Sequence, residues 1–490
     1  MEAPEGMVVE KRRIAKPAVF ILLSVMFKRY ATAAILSILA LFLHFKLGYD
    51  KDMSTTIFHL YEVMASCCAI LGAIIADSWL GIYKTIVSLS VVFAAGSLIA
   101  AFGVIDALHL PMHALSVVGL MLMATGDGCL KPLNITYGAN QYRPNEVKSI
   151  ALYIVMHYFM HNSGSIISRL VTPILRQDVK CFGNDDCFSV AFGISGIFMM
   201  MVIVLTVIAN RCSEAKPEQR TSLLKVFGCI QHAISLKIKS KASPNMPAKE
   251  YWLQYSEEKY GKKLVWETRV ILRVIVLYLP ITLFWALFYQ QGSRWVFQAI
   301  RMNGDLGFYT IIPDQFNVFN PLLVLVLIPI FEKVLNPLLS KLRIRSDLQK
   351  TTLGGVLAGI AFLLSAVVGH QIDTGKYLHM AWLLPQYTLM AMGEILVTVP
   401  MSNFAFAVAP SSMKTMIQSF NNLAVGLGNL VVVIVVGTKL LDSQVYEFIL
   451  FAVLMFANMI VFAFLAKRYK PLKEHAEEGD ATDPLVENRH

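Results

Sequence analysis

The sequence predicts an all-helical integral membrane protein of about twelve transmembrane helices in two six-helix halves, and three observations carry that expectation. Hydrophobic residues make up 56% of the 490-residue chain against 16% charged, where soluble domains run at roughly half apolar and about a quarter charged. Mean hydropathy is +0.58, because the apolar residues come in blocks of about 20, the length that crosses a bilayer as a helix. One long basic connection then divides those blocks six and six. Disordered, collagen-like and disulfide-scaffold classes are excluded by the hydropathy, the glycine content and a count of seven cysteines.

The first six spans fall near residues 17–44, 55–76, 83–104, 113–135, 149–175 and 189–209. The second six fall near 270–290, 316–339, 351–369, 380–407, 413–436 and 446–466. The first block is too long for a signal-peptide core, is interrupted by Lys28-Arg29 and lacks a small-residue cleavage signal, so it reads as a retained helix. With the amino terminus in the cytoplasm, inner segments hold about 30 basic residues and outer ones about 8, so both termini are expected inside. That bias accounts for the formal net charge of +10 without a nucleic-acid partner. The expected division is a cytoplasmic amino terminus (1–16), a first half (17–209), a cytoplasmic linker (210–269), a second half (270–466) and a cytoplasmic tail (467–490). Within the linker, residues 250–263 mix charges with Trp252 and Tyr255 and predict amphipathic helix at the inner leaflet. The tail is polar and reads as disordered. Two equal halves joined by a long basic loop are the outline of major-facilitator transporters, although channels and receptors also have many spans.

Only Cys181 and Cys187 fall in a predicted outer loop, where a disulfide could form. His157 and His161 stand four apart on one helical face, but no third ligand is near, so no metal and no cofactor is expected. Neither a phosphate-binding loop nor a nucleophile–base constellation is present, which argues against an enzyme and leaves gradients to drive any transport.

An ionisable group at the centre of a membrane span costs about 3 kcal/mol on insertion scales and is by default a functional candidate. Here these are Lys28, Arg29, His59, Glu62, Asp127, Lys131, His157, His161, Arg169, Arg273, Arg294 and Glu394. Arg169 and Arg294 lie near predicted span ends and are expected to snorkel. Asp77, within residues 72–81 (GAIIADSWLG), reads as part of a gating or loop-packing motif. His59 and Glu62 are three apart, share a face and can couple their protonation. Glu394 has no basic neighbour in its span, so it needs a substrate amine or a cation from another helix. Lys28, Arg29 and Lys131 in the first half would face Glu394 in the second across a cavity, which suits a zwitterion such as an amino acid or short peptide. Trp285 and Phe288 are candidate apolar walls, with packing as the alternative.

Five segments are similar to the proton-coupled oligopeptide transporters (the solute carrier 15 family), nearest the animal di- and tripeptide transporters. They are 74–84 (IIADSWLGIYK), 126–140 around Leu130-Lys131-Pro132, 158–165 (YFMHNSGS, where the family writes FYxxINxGS), 284–295 (FWALFYQQGSRW) and 410–414 (PSSMK). The resemblance runs over about residues 14–470 and implies a carrier of small peptides with the proton as coupling ion. Carried over residue by residue, it implies proton coupling at His59, the substrate carboxyl group at Lys131 and the peptide amine at Glu394. It places Tyr158, Asn162, Trp285 and Asn320 in the pocket and matches Arg273 to a seventh-helix arginine. The extracellular insert of the animal members is missing from the short connection at 369–380.

The first helix departs from the family's ExxERFxYYGxR. Val25 and Lys28 replace both acids, Thr32 and Ala33 the paired tyrosines, and Leu36 the second arginine. Tyr289 stands where an acid would pair with Arg273, and Asn421 where the pocket has a tryptophan. A buried charge without its partner is expensive, so Glu62 is expected to reach Lys28 or Arg29, the alternative being a place at the outer water interface. Three outcomes stay open: a proton-driven peptide carrier, an uncoupled facilitator with altered substrates, or a nontransporting nutrient sensor. The cell surface is the default location, endolysosomal membranes the next, and a monomer is expected.

Overall fold

The computed structural model describes residues 14–470 apart from 143–145, 182–185, 214–222, 243–248, 409–413, 440 and 442, and also describes residue 472. The basic stretch at 11–13, most of the PSSMK motif and nearly all of the polar tail therefore lie outside the described residues. Twelve long helices form the bundle: α1 (Lys16–Leu41), α2 (Lys51–Ile75), α3 (Ile82–Gly103), α4 (Met112–Leu130), α5 (Val147–Gln177), α6 (Phe188–Arg211), α7 (Lys262–Tyr289), α8 (Phe319–Ile330), α9 (Asp347–Asp373), α10 (Leu384–Val408), α11 (Lys414–Gly437) and α12 (Gln444–Arg468). Among the described residues, ten helical segments are long and apolar enough to cross a membrane. Of the long helices, α5 falls short of that measure because His157, His161 and Asn162 interrupt its apolar run.

Several boundaries differ from the sequence reading. α4 stops at Leu130 because Pro132 has no N–H to donate and cannot continue the ladder; the chain turns at Lys131 and resumes as a short helix, Leu133–Ala139. α7 begins at Lys262, two turns before residue 270, so the linker ends inside a helix. The amphipathic helix expected at 250–263 is instead a 3-10 turn (Trp252–Ser256) and one α turn (Glu257–Tyr260), ended by Gly261 at φ +80°. The main linker helix is Leu223–Ala242, whose Val226 packs against Ala73 of α2 and Ile271 of α7. It thus touches both halves at the end of the bundle that carries the termini.

Each half has its own core, one built on α1–α4 and α6, the other on α7 and α9–α12. The exception is the segment that continues α7 toward the end away from the termini. A 3-10 turn (Gln290–Gly292) leads into a short helix, Arg294–Ala299, all six residues of which are buried. Its Val296 and Phe297 join the core of the first half, and the Phe297 ring meets His44 edge-on at 5.5 Å.

Corresponding helices in the two halves use the same close contact. A Cβ on Gly96 of α3 or Gly119 of α4 would stand 2.7 Å from the other's carbonyl oxygen, and Gly354 of α9 and Gly393 of α10 repeat this at 2.8 Å. Backbones that approach this closely tolerate only small residues. The α10 contact lies one residue from Glu394 and holds that helix in place. Cys181 and Cys187 are joined as a disulfide with their Cα atoms 5.4 Å apart. Gly393→Leu is expected to lower stability by about 1–3 kcal/mol through overpacking, checked by thermal unfolding of the detergent-purified protein.

Candidate functional site

Four charged side chains form one buried network in the first half. Lys131 Nζ lies 3.2 Å from Glu62 Oε2 and 3.7 Å from Asp127 Oδ2, while Lys28 Nζ lies 3.3 Å from Asp127 Oδ1. Asp127 and Lys131 are four apart on α4 and share a face. Glu62 is 1% exposed, which removes it from any water interface. Its partner is Lys131, not Lys28 or Arg29 as the sequence suggested. The reason is packing: Gly128 leaves no space for a Cβ against the Ala65 backbone, so α2 lies tight on α4 and Glu62, one turn before Ala65, faces Lys131. Asp127 then takes Lys28. Its spacing from Lys131, between Gly126 and Gly128, was the available signal for a place in the site.

A cavity of about 70 Å³ lies between the halves, bounded by Arg29, Glu62, Asp127, Lys131 and Arg169 on one side and Phe288, Tyr289 and Asn317 on the other. That volume holds a few waters. Arg169 does not snorkel: α5 continues two turns beyond it, and its Nη1 donates to Asn317 O at 2.8 Å across the halves. Nor does Arg294, which is 4% exposed at the start of the short buried helix after α7 and bridges Glu447 at 2.7 Å and Asp52 at 2.9 Å.

In the second half, Glu394 accepts from Asn320 Nδ2 at 3.1 Å. The cations it senses are Arg169 and Arg29 of the first half, and it also interacts electrostatically with Tyr158. It is half-buried and faces the other half, but does not line the 70 Å³ cavity that Lys131 lines. Asn162 turns its amide back to Tyr158 O at 2.9 Å. Trp285 is buried among Phe284, Phe288 and Tyr289, the first two with ring centroids 5.4 Å away. His59 is fully buried between the halves, 2.6 Å from Asn429 Oδ1 and 3.0 Å from Ser293 Oγ.

Two candidates stand apart. Arg273 is exposed and donates to Lys470 O at 3.3 Å, near the termini. Tyr289 is sixteen residues along the same helix, roughly 24 Å away, so an acid there would not pair with Arg273. Asp77 falls in the π turn Ala76–Leu80, and its side chain lies outside the described residues.

Among the described residues, polar contacts between the halves gather toward the end away from the termini. Arg176 bonds Asp314 at 3.1 Å, Gln315 donates to Leu170 O at 3.2 Å, and Lys439 pairs with Asp50 at 3.0 Å. Asp50 also caps α2, accepting from Met53 N at 2.6 Å. That N–H, with the Lys439 ammonium, holds the Asp50 carboxyl below the usual carboxylate range.

A family model described as the POT family (PTR2) matches residues 83–439. The chain belongs to the POT family. It is similar to solute carrier family 15 member 2 of Homo sapiens, 39% identical over 357 residues, which are 72% of this chain and 49% of the relative. Peptide transporter family 1 of Drosophila melanogaster is 39% identical over 363 residues, 74% of this chain and 48% of that protein. The chain thus spans about half the length of the curated relatives it matches. Among solved structures, the POT family transporter PepTSo aligns with a TM-score of 0.81 at 25% identity, covering 93% of this chain and 98% of that one. An auto-inhibited POT family peptide transporter aligns at 0.77 and 23% identity, covering 94% and 98%, and bears on the fold alone.

This POT member is thus a multi-pass membrane protein of two six-helix halves, with a lysine–carboxylate network beside its degraded first-helix motif. Removing one partner of a buried pair leaves the other uncompensated. Glu62→Gln is expected to cost about 3 kcal/mol, and Glu62→Gln with Lys131→Gln to recover most of it. Thermal unfolding of both single variants and the double variant checks this coupling.

Proposed function

We propose that this chain is a secondary carrier of di- and tripeptides or peptide-like solutes, working by alternating access between its two halves. The observation that supports it is the charge layout: Lys131, flanked by Glu62 and Asp127 in the first half, and Glu394, held by Asn320 and facing that half from the second. In this reading Glu394 receives the peptide amine and Lys131 the carboxyl end. Tyr158, Asn162, Trp285 and Asn320 shape the space between. The name of one relative, peptide transporter family 1 of Drosophila melanogaster, agrees with that cargo. The contacts at the far end hold that exit shut and must part for cargo to pass there.

The coupling ion we assign is the proton, with His59 as its relay. Asn429 Nδ2 donates to Val425 O at 2.9 Å, which turns its Oδ1 toward His59 Nδ1. A neutral His59 therefore donates from Nδ1 and accepts from the Ser293 hydroxyl at Nε2. A proton arriving at Nε2 removes that acceptor and forces Ser293 to rotate, so protonation is linked to a contact between the halves. Gradient-independent carriage is the second reading, favoured because Lys131 and Lys28 already engage Glu62 and Asp127. We place the protein at the plasma membrane, with endolysosomal membranes next, as a monomer.

Uptake of a labelled dipeptide by liposomes containing the purified chain, with and without an inward pH gradient, tests this. Stimulation by the gradient is expected, and His59→Asn is expected to abolish the stimulation while peptide exchange persists. Uptake that ignores the gradient supports the facilitator, and binding without uptake the sensor.

A further inference from the structure

We propose that Arg29 and Arg169 form an anion subsite that biases this carrier toward peptides with more carboxylates than amines. The inference rests on the peptide-carrier reading and deepens it by naming a substrate class. Both arginines line the cavity between the halves, on α1 and α5. The two lysines nearby are engaged by carboxylates, Lys28 by Asp127 and Lys131 by Glu62. Among the described residues neither arginine makes an ion pair, and the Nε of each is buried without a hydrogen-bond partner. Arg169 donates to a backbone carbonyl, Asn317 O, which carries no net charge, and Glu394, the acid that it senses, lies beyond ion-pair distance. The two guanidinium groups also repel each other.

The charges do not balance. Lys28, Arg29, Lys131 and Arg169 are four cations; Glu62, Asp127 and, from the opposite half, Glu394 are three acids. A zwitterion bridging Glu394 and a cation leaves one positive charge over, whereas a peptide with an extra carboxylate neutralises it. Guanidinium suits that task, since its planar fork binds carboxylate bidentately. Arg169 also lines the same cavity as Leu36, the residue that stands where related first helices carry their second arginine. A guanidinium lost from one wall is regained from another.

Competition against labelled Ala-Ala uptake in liposomes containing the full chain, using Ala-Glu, Ala-Ala and Ala-Lys, tests the subsite. Ala-Glu is expected to compete about tenfold more strongly than Ala-Lys. Arg169→Gln is expected to bring that ratio near one, and Arg169→Lys to keep most of it. Equal competition by all three peptides with the unaltered protein overturns the subsite and makes Glu394 the counterion of both arginines. An Arg169→Gln variant that weakens all three equally assigns Arg169 to the Asn317 contact and also overturns it. If Arg169→Gln does not fold, the ratio in the unaltered protein and in Arg169→Lys decides. A folded protein for which no dipeptide competes, and which takes up none, sinks the peptide-carrier reading and the subsite with it.

Discussion

A membrane interior offers little water to share a buried charge, so every cation placed there must be answered by the protein or by what it binds. Lys131 shows how much of the fold follows from that constraint. It stands where Pro132 ends α4, and two carboxylates from two helices converge on it. To bring Glu62 there, α2 must lie against α4 closely enough that Gly128 cannot carry a side chain. To bring Asp127 into register, α4 must stay regular for the turn before Lys131. Lys28 then completes the chain of charges from α1, which ties three helices into one unit.

The second half meets the same constraint differently. Glu394 has a neutral amide, Asn320, as its neighbour within the half, and its opposite charges lie across the interface. One half is therefore electrostatically self-contained around its lysines, and the other looks outward. The glycine contacts of α3 with α4 and of α9 with α10 repeat between the halves, yet the charges they position do not. A shared scaffold thus carries two different electrostatic solutions.

The fold was legible in the sequence because span length and apolar blocks are local properties. The spans were placed within a few residues wherever a helix ended in polar residues or glycine. They were misplaced at α7, where charged residues occupy the first turns of a helix that leaves the membrane. The site was legible in its members but not its pairings. Glu62 and Lys131 both stood out as ionisable residues in apolar runs, but which lysine Glu62 meets depends on how α2 leans on α4, and no local pattern records that. Arg169 and Arg294 were misjudged for a related reason. Distance from a predicted span end is not distance from water, since α5 continues past one and a short buried helix after α7 encloses the other.

The short helix after α7, Arg294–Ala299, has a mechanical consequence. Val296 and Phe297 belong by sequence to the second half and by packing to the first, so the halves are not two smooth bodies in contact; one has a peg seated in the other. Any separation at that end must draw the peg out, and exposing a large apolar side chain to water costs about 1.5–3 kcal/mol. The rate of exchange between conformations then carries a hydrophobic activation cost, with the curved temperature dependence that such exposure brings. Cooling would change the tempo of any such exchange through this latch in a way that rearranging surface ion pairs alone would not.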